Sequence, residues 1–293
     1  MRLATIQILE GSRPLPGLRT AVVEDRAYID LHATNPSLSV NMRELLGGGP
    51  AALHTTLEAA RSPDAVRIDA AHVKLSPPIP DPPKIICLGL NYRDHAIESG
   101  ATIPKEPILF SKYATALIGD GDAIVLPPVS REVDYEAELV IVVGRRGRNI
   151  RPHEAMNFVA GYTIGHDVSA RDWQLKKEGK QWMVGKTFDT FAPTGPVIVT
   201  TDELADPHHL PIRLRLNGQT MQDSNTSQMI FDVPSILAYL SQVFTLEPGD
   251  LIFTGTPPGV GFARKPPVFM KAGDVAEVEI EGIGVLRNPV IQG

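Results

Sequence analysis

The sequence predicts an α+β protein that is mostly β, with a small N-terminal α/β unit ahead of a larger β-rich domain. Three observations carry this. Pro (26) and Gly (25) are abundant while aromatics make up only 6%, and the apolar runs between these turn residues are short. Apolar runs bounded by turn residues recur, and Val133–Gly144 ends in a continuous apolar stretch. A single stretch holds five prolines in eight residues, Ser76-Pro77-Pro78-Ile79-Pro80-Asp81-Pro82-Pro83. Such a run joins neither a sheet interior nor a helix, so it marks a stiff connector.

The N-terminal unit spans residues 1–75. Leu3–Ile8, Thr20–Val23 and Ala27–Leu31 read as short strands, and Ala51–Ala60 has helical composition behind the breaker Gly47-Gly48-Gly49-Pro50. The linker covers 76–83 and the larger domain 84–293. Strands are expected at Ile85–Leu88, Ala123–Leu126, Leu139–Val143, Phe158–Ile164, Val197–Val199, Leu251–Phe253 and Val275–Ile280. Asn217-Gly218 signals a type I′ hairpin. The clearest helix is Pro234–Phe244, where Ile236, Leu237, Leu240, Val243 and Phe244 share a face and Pro234 stands in a tolerant first turn.

Bulk properties exclude several function classes. The chain of 293 residues is long enough for a substantial core, and its net charge of −6 lacks the basic face of non-specific nucleic-acid binding. The lone Cys87 permits no intrachain disulfide, and no segment approaches the roughly 20 apolar residues that span a bilayer. Met1–Ile8 carries no secretory pattern. A cytoplasmic protein with neither nucleic-acid nor membrane partners is the expectation.

Chemistry concentrates in Val133-Asp134-Tyr135-Glu136-Ala137-Glu138 and the buried strand that follows. Side chains two apart on a strand share a side, so Glu136 and Glu138 are neighbours. Two carboxylates beside a dry strand repel each other unless basic partners, protonation or a hard cation relieves them. The bland alternative is two solvated glutamates at a strand end. Asp167, leaving an apolar strand in Gly165-His166-Asp167-Val168-Ser169-Ala170-Arg171-Asp172, offers a third oxygen; its alternative role is to cap a helix starting near Ser169.

These segments resemble the fumarylacetoacetate hydrolase family. The matching blocks are Gly89-Leu90-Asn91-Tyr92-Arg93-Asp94-His95, Asp134-Tyr135-Glu136-Ala137-Glu138, Gly165–Asp172, Gly185-Lys186-Thr187-Phe188-Asp189-Thr190 and Phe253–Gly261, in family order. The resemblance implies a mixed β-roll, a homodimer, and Mg²⁺ (Mn²⁺ or Ca²⁺ as alternatives) on Glu136, Glu138 and Asp167. The further upstream Asp ligand of the hydrolase that names the family has no counterpart, so water fills that place. It also implies a small anionic 2-oxo acid chelated through carboxylate and keto oxygens, with the metal as Lewis acid for a pyruvate-type enolate.

The remaining groups follow from residue chemistry and from the resemblance together. His95 and Glu98 stand i, i+3, a spacing at which the carboxylate orients the imidazole; by resemblance they are a water-activating dyad on a lid over Tyr92–Thr102, hinged at Gly100. Lys186 resembles the family's active-site lysine. Arg171 and Gln174 look like substrate contacts, with a structural Arg171–Asp172 pair as the alternative, and Thr256 in the Gly-rich turn looks like a carboxylate contact. That turn lacks the Gly-Lys-Ser/Thr ending of a P-loop, Ser169 has no G-x-S-x-G elbow, and Cys87 reads as inert core. The leading function is a metal-dependent hydrolase cleaving a C–C bond in a 2,4-dioxo acid. The alternatives are a keto–enol tautomerase or decarboxylase of an oxaloacetate-like acid, and a non-catalytic, cation-stabilised binding protein.

Overall fold

The computed structural model describes residues 1–293. It is mostly β, as expected. A 13-stranded sheet runs in the order Arg67–Asp69, Ala27–Asp30, Arg19–Val23, Arg2–Glu10, Ala192–Thr200, Val159–His166, Ala137–Val143, Leu251–Phe253, Ile85–Gly89 and Ile108–Lys112, with three short strands off this path. The N-terminal strands join it because Arg2–Glu10 pairs antiparallel with Ala192–Thr200. A second sheet of five strands orders Ile124–Leu126, Gly284–Gln292, Val275–Ile280, Pro211–Leu216 and Gln219–Asn225, and Val133–Asp134 pairs with Ser169–Ala170 as a small third. No strand or helix occupies residues 76–83.

The strand that positions the acidic pair, Ala137–Val143, is buried at every residue. Its β-branched side chains suit a pleated surface covered on both faces. Leu139, Ile141 and Val143 enter the main core, while Val140 and Val142 enter a second core with Ile85, Cys87 and Phe253. Glu138 lies on the second face by parity. Next to it runs Val159–His166, equally buried, in register Ala137↔His166 and Glu138↔Gly165. Gly165 allows this approach: a Cβ there would stand 2.4 Å from Phe253 Cε1 and 2.5 Å from Val140 Cγ2.

The hairpin expected at Asn217-Gly218 joins Pro211–Leu216 to Gln219–Asn225, with positive φ at both turn residues (53° and 78°) as a type I′ turn requires. The late helix runs Val233–Val243, and Asp232 caps it by accepting from Ser235 N. Asp167 caps no helix: Ser169–Ala170 is extended, and a π-turn follows at Asp172–Lys176. Gly100 ends the Arg93–Ser99 helix in the left-handed region (φ 62°), as a residue without Cβ readily does. The strands Ile108–Lys112 and Gly284–Gln292 and the helix Met42–Gly47 add to the expected elements. Pro289 masks the second of these strands in the sequence.

Candidate functional site

Glu136, Glu138 and Asp167 converge where three segments meet. Glu136 sits immediately before the Ala137–Val143 strand, Glu138 is its second residue, and Asp167 follows the Val159–His166 strand. The Asp167 N–H donates to Glu136 O (2.9 Å), which fastens the two strand ends together. All three carboxylates are buried, and one oxygen from each lies within 4.8 Å of the others.

The charges around them are distributed unevenly. Arg171 donates to Glu136 Oε1 (2.6 Å), to Asp134 Oδ2 (2.8 Å) and to Gln174 Oε1 (2.8 Å). Lys186 bridges Glu136 Oε2 and Asp167 Oδ2 at 2.7 Å each. Burial raises the Glu136 carboxyl, but Lys186 and Arg171 outweigh it and bring it down to about 2. For Lys186 burial disfavours the ammonium, yet Asp167 and Glu136 prevail and the group holds its proton more tightly than usual. Glu138 has no cation of its own. Gly255 N donates to its Oε2 (2.8 Å), and Oε1 is buried without a hydrogen-bond partner. Burial, then the charges of Asp167 and Glu136, push this carboxyl well above the carboxylate range. An orphaned buried oxygen beside two further carboxylates is the donor set of a hard divalent cation, so these residues fit the expected metal.

The other expected residues meet at this cluster. His95, Glu98, Glu136, Arg171, Gln174, Lys186 and Thr256 line one cavity of about 510 Å³. His95 Nδ1 lies 3.0 Å from Glu98 Oε2, and Glu98 Oε1 accepts from Gly259 N (2.8 Å), which ties the Arg93–Ser99 helix down onto the Gly-rich turn. Burial raises the Glu98 carboxyl, but the bonds from His95 and Gly259 overcome it and hold it below its ordinary value. Arg171 does not pair with Asp172, which accepts instead from Ser130 Oγ and Arg131 N. Each of its nitrogens has a protein acceptor, while two of its five N–H bonds remain and the side chain borders the cavity. Thr256 Oγ1 accepts from Gln222 Nε2 (2.9 Å), while Gln222 Oε1 accepts from Ala137 N (2.8 Å).

Several residues of this region escaped the sequence reading. Asp134 accepts from Gly261 N (2.7 Å), Phe262 N (3.0 Å) and Arg171, and Asn91 braces Thr254 and Phe231. Both lie inside the quoted blocks, where their short polar side chains were the available signal. Trp182 packs on Gly89 and edge-on to Phe110, and with Leu175 and Ile108 makes the cavity's far wall apolar. Lys112, fully buried at the end of its strand, carried no spacing signal at all.

A family model described as fumarylacetoacetate (FAA) hydrolase C-terminal matches residues 84–291. The chain belongs to the fumarylacetoacetate hydrolase family. It is an enzyme of that family, whose members include hydrolases, isomerases and tautomerases of oxo acids. It is 50% identical over 291 residues to a mitochondrial oxaloacetate tautomerase of Xenopus laevis, covering 99% of this chain and 90% of that one. Among solved structures, fumarylacetoacetate hydrolase from Exiguobacterium antarcticum aligns with TM-score 0.84 and 37% identity over 99% of this chain and 100% of that one. A maleylpyruvate hydrolase from a Sphingobium species, solved with manganese(II) and pyruvate, aligns at 0.82 and 33% over the whole of both chains. The family's fold matches the expected mixed β-roll.

The cytoplasmic expectation is overturned. The Xenopus relative and its bovine and human counterparts at 48% and 47% identity are named as mitochondrial. The signals behind that expectation report only a reducing environment and the lack of a secretory pattern, and neither separates the cytoplasm from a mitochondrial interior. No helix is long and apolar enough to cross a membrane.

Proposed function

We propose that the protein is a divalent-metal-dependent keto–enol tautomerase of oxaloacetate, which replaces the C–C hydrolase as the leading reading. The observation that carries it is the placing of the His95–Glu98 pair and Lys186 in the cavity that reaches the acidic cluster, in a chain half identical to a tautomerase over nearly its whole length.

Mg²⁺ or Mn²⁺ on Glu136, Glu138 and Asp167 would supply Lewis acidity to the carboxylate–keto end of the acid. The residues of the chain then need only move protons. With Nδ1–H donated to Glu98, His95 keeps a lone pair on Nε2, which takes one C3 proton while the C3–H electron pair becomes the C2–C3 double bond and the carbonyl π pair moves onto the C2 oxygen. Lys186 has three N–H bonds and uses two on carboxylates, so the third serves the C2 oxygen. No water enters the reaction, and the apolar wall of Trp182, Phe110 and Leu175 helps keep it out.

The test is the interconversion of enol and keto oxaloacetate, followed by enol absorbance with Mg²⁺, with Mn²⁺ and with EDTA, beside cleavage of a 2,4-dioxo acid. Metal-dependent tautomerisation without cleavage supports the proposal. Cleavage without tautomerisation favours the hydrolase, for which the likeness to maleylpyruvate hydrolase speaks. Metal-independent turnover would sink both. A homodimer is our expectation for the assembly, and light scattering that gives a monomer mass would refute it.

A further inference from the structure

Each carboxylate of the acidic cluster has one oxygen held from outside, and the other turns inward, onto Lys186 for Glu136 and Asp167 and without a partner for Glu138. Arg171 pins Glu136 Oε1 (2.6 Å) and Gly255 N pins Glu138 Oε2 (2.8 Å). The corresponding oxygen of Asp167, Oδ1, lies 2.6 Å from Lys112 Nζ. Lys112 comes from the far edge of the large sheet, and its side chain is wholly inaccessible to solvent. It donates to Val168 O (3.1 Å), Phe191 O (2.7 Å) and Lys186 O. Three carbonyls use up the three N–H bonds of an ammonium. Asp167 Oδ1 therefore meets the charge from outside the donor directions, in keeping with its lack of a hydrogen bond.

An ammonium is among the costliest groups to bury, and a sheet end that needed only packing would hold an apolar side chain here. What Lys112 gains is control of two things together. Through Val168 O and its own charge it fixes the segment and the carboxylate of Asp167. Through Lys186 O it seats the main chain of the residue whose side chain bridges Glu136 and Asp167.

We propose that Lys112 is a positioning residue for the metal site, orienting Asp167 and seating Lys186. The proposal rests on the metal reading of the cluster but not on the identity of the substrate. Its sign separates it from a plain charge effect. A lysine acting only by its charge opposes a cation, so its removal would tighten metal binding, whereas loss of positioning weakens it.

The experiment titrates the 293-residue chain with Mn²⁺ alone and counts free ion by electron paramagnetic resonance. Lys112→Met keeps the length of the side chain and removes charge and donors. The expected result is a rise in the Mn²⁺ dissociation constant of about 10–100-fold, the usual cost of losing a residue that orients a ligand. Leu240→Ala truncates the core in the Val233–Val243 helix, an element that holds none of the cluster. It lowers the melting temperature while leaving the Mn²⁺ constant as in the wild type, so general loosening is told apart from misplacement. A rise smaller than about fivefold, no change or tighter binding in Lys112→Met overturns the proposal. Should that variant fail to fold, Lys112→Gln carries the same titration with the same criterion. Wild-type protein that binds no Mn²⁺ overturns the metal reading and this proposal together, and a lack of tautomerase activity alone touches neither.

Discussion

Replacing Lys186 by Met separates the lysine's contribution to the metal-free fold from its contribution to turnover. Its ammonium lies 2.7 Å from one oxygen each of Glu136 and Asp167, with the lysine side chain 3% exposed. At an effective dielectric of about 20, each contact attracts by about 6 kcal/mol before desolvation is subtracted. Removing one partner of such a buried pair costs about 3–5 kcal/mol net, because the carboxylates stay behind. For a chain of this size that lowers the melting temperature by about 6–20 °C in EDTA. A divalent ion answers the same two oxygens, so saturating Mn²⁺ restores most of the loss. Scanning calorimetry with EDTA and with Mn²⁺ reads both effects. A melting point within about 2 °C of wild type in EDTA, or a deficit that Mn²⁺ leaves untouched, would refute the placement of Lys186 between these carboxylates. Tautomerisation of oxaloacetate by the Mn²⁺-loaded variant falls at least about 100-fold, the low end of what a positioned proton donor supplies.

Three further outcomes follow from the same geometry. Gly89→Ala puts a Cβ 2.4 Å from Trp182 Cζ3 and displaces the indole from the cavity wall, so KM rises for the substrate while the Mn²⁺ constant holds; an unchanged KM would remove Trp182 from the wall. Gly165→Ala overpacks Phe253 and Val140 in the middle of the sheet, costing about 1–3 kcal/mol in urea unfolding, and a neutral result would mean the strands part easily there. The Glu98 carboxyl titrates below its ordinary 4.5 in the folded protein, so its hold on Gly259 is complete above that value and lost as pH falls through the depressed one. Exchange of the Gly259 amide, corrected for intrinsic rate, stays slow at pH 5 and speeds up only in stronger acid, whereas loss of protection already at pH 5 would contradict the bond.

What the sequence reveals of this site divides by the range of the interactions. Glu136 and Glu138 are legible because strand parity is local, and His95 with Glu98 because one helical turn joins them. The Asn217-Gly218 turn is legible because positive φ restricts the residues that fit. Lys112 is not, since the carbonyls that receive it lie 56, 74 and 79 residues along the chain and leave no pattern around it. Arg171 could be placed near the cluster by its block, but its bonds to Asp134, Glu136 and Gln174 depend on a strand pairing, Val133–Asp134 with Ser169–Ala170, too short to announce itself. The strand Gly284–Gln292 was hidden by Pro289 and buried Asn288, whose Nδ2 satisfies Gly119 O and Asp122 O across the chain.

The same division explains why one scaffold serves both hydrolases and tautomerases. The acidic end consists of buried ion pairs and pinned carboxylates, where removing any one charge strands its partners. It therefore constrains its residues jointly and fixes only how a 2-oxo acid is gripped. Beyond it Trp182, Leu175 and Ile108 line the cavity, Phe110 stands by the Lys186 ammonium, and the Arg93–Ser99 helix is held by bonds at Glu98, Asp94 and Arg93. Apolar side chains there exchange volume at a cost of about 1–3 kcal/mol without stranding a charge. Under the proposed function, such exchanges would decide whether a water fits between His95 and the distal carbon. With water excluded, the imidazole can only shuttle a proton at C3; with water admitted, the same nitrogen activates it toward C–C cleavage. Enlarging the wall by Trp182→Ala should then raise hydrolysis of a 2,4-dioxo acid relative to oxaloacetate tautomerisation, measured on one preparation with Mn²⁺. An unchanged ratio, with both substrates still bound, would place the choice of reaction elsewhere than at this wall.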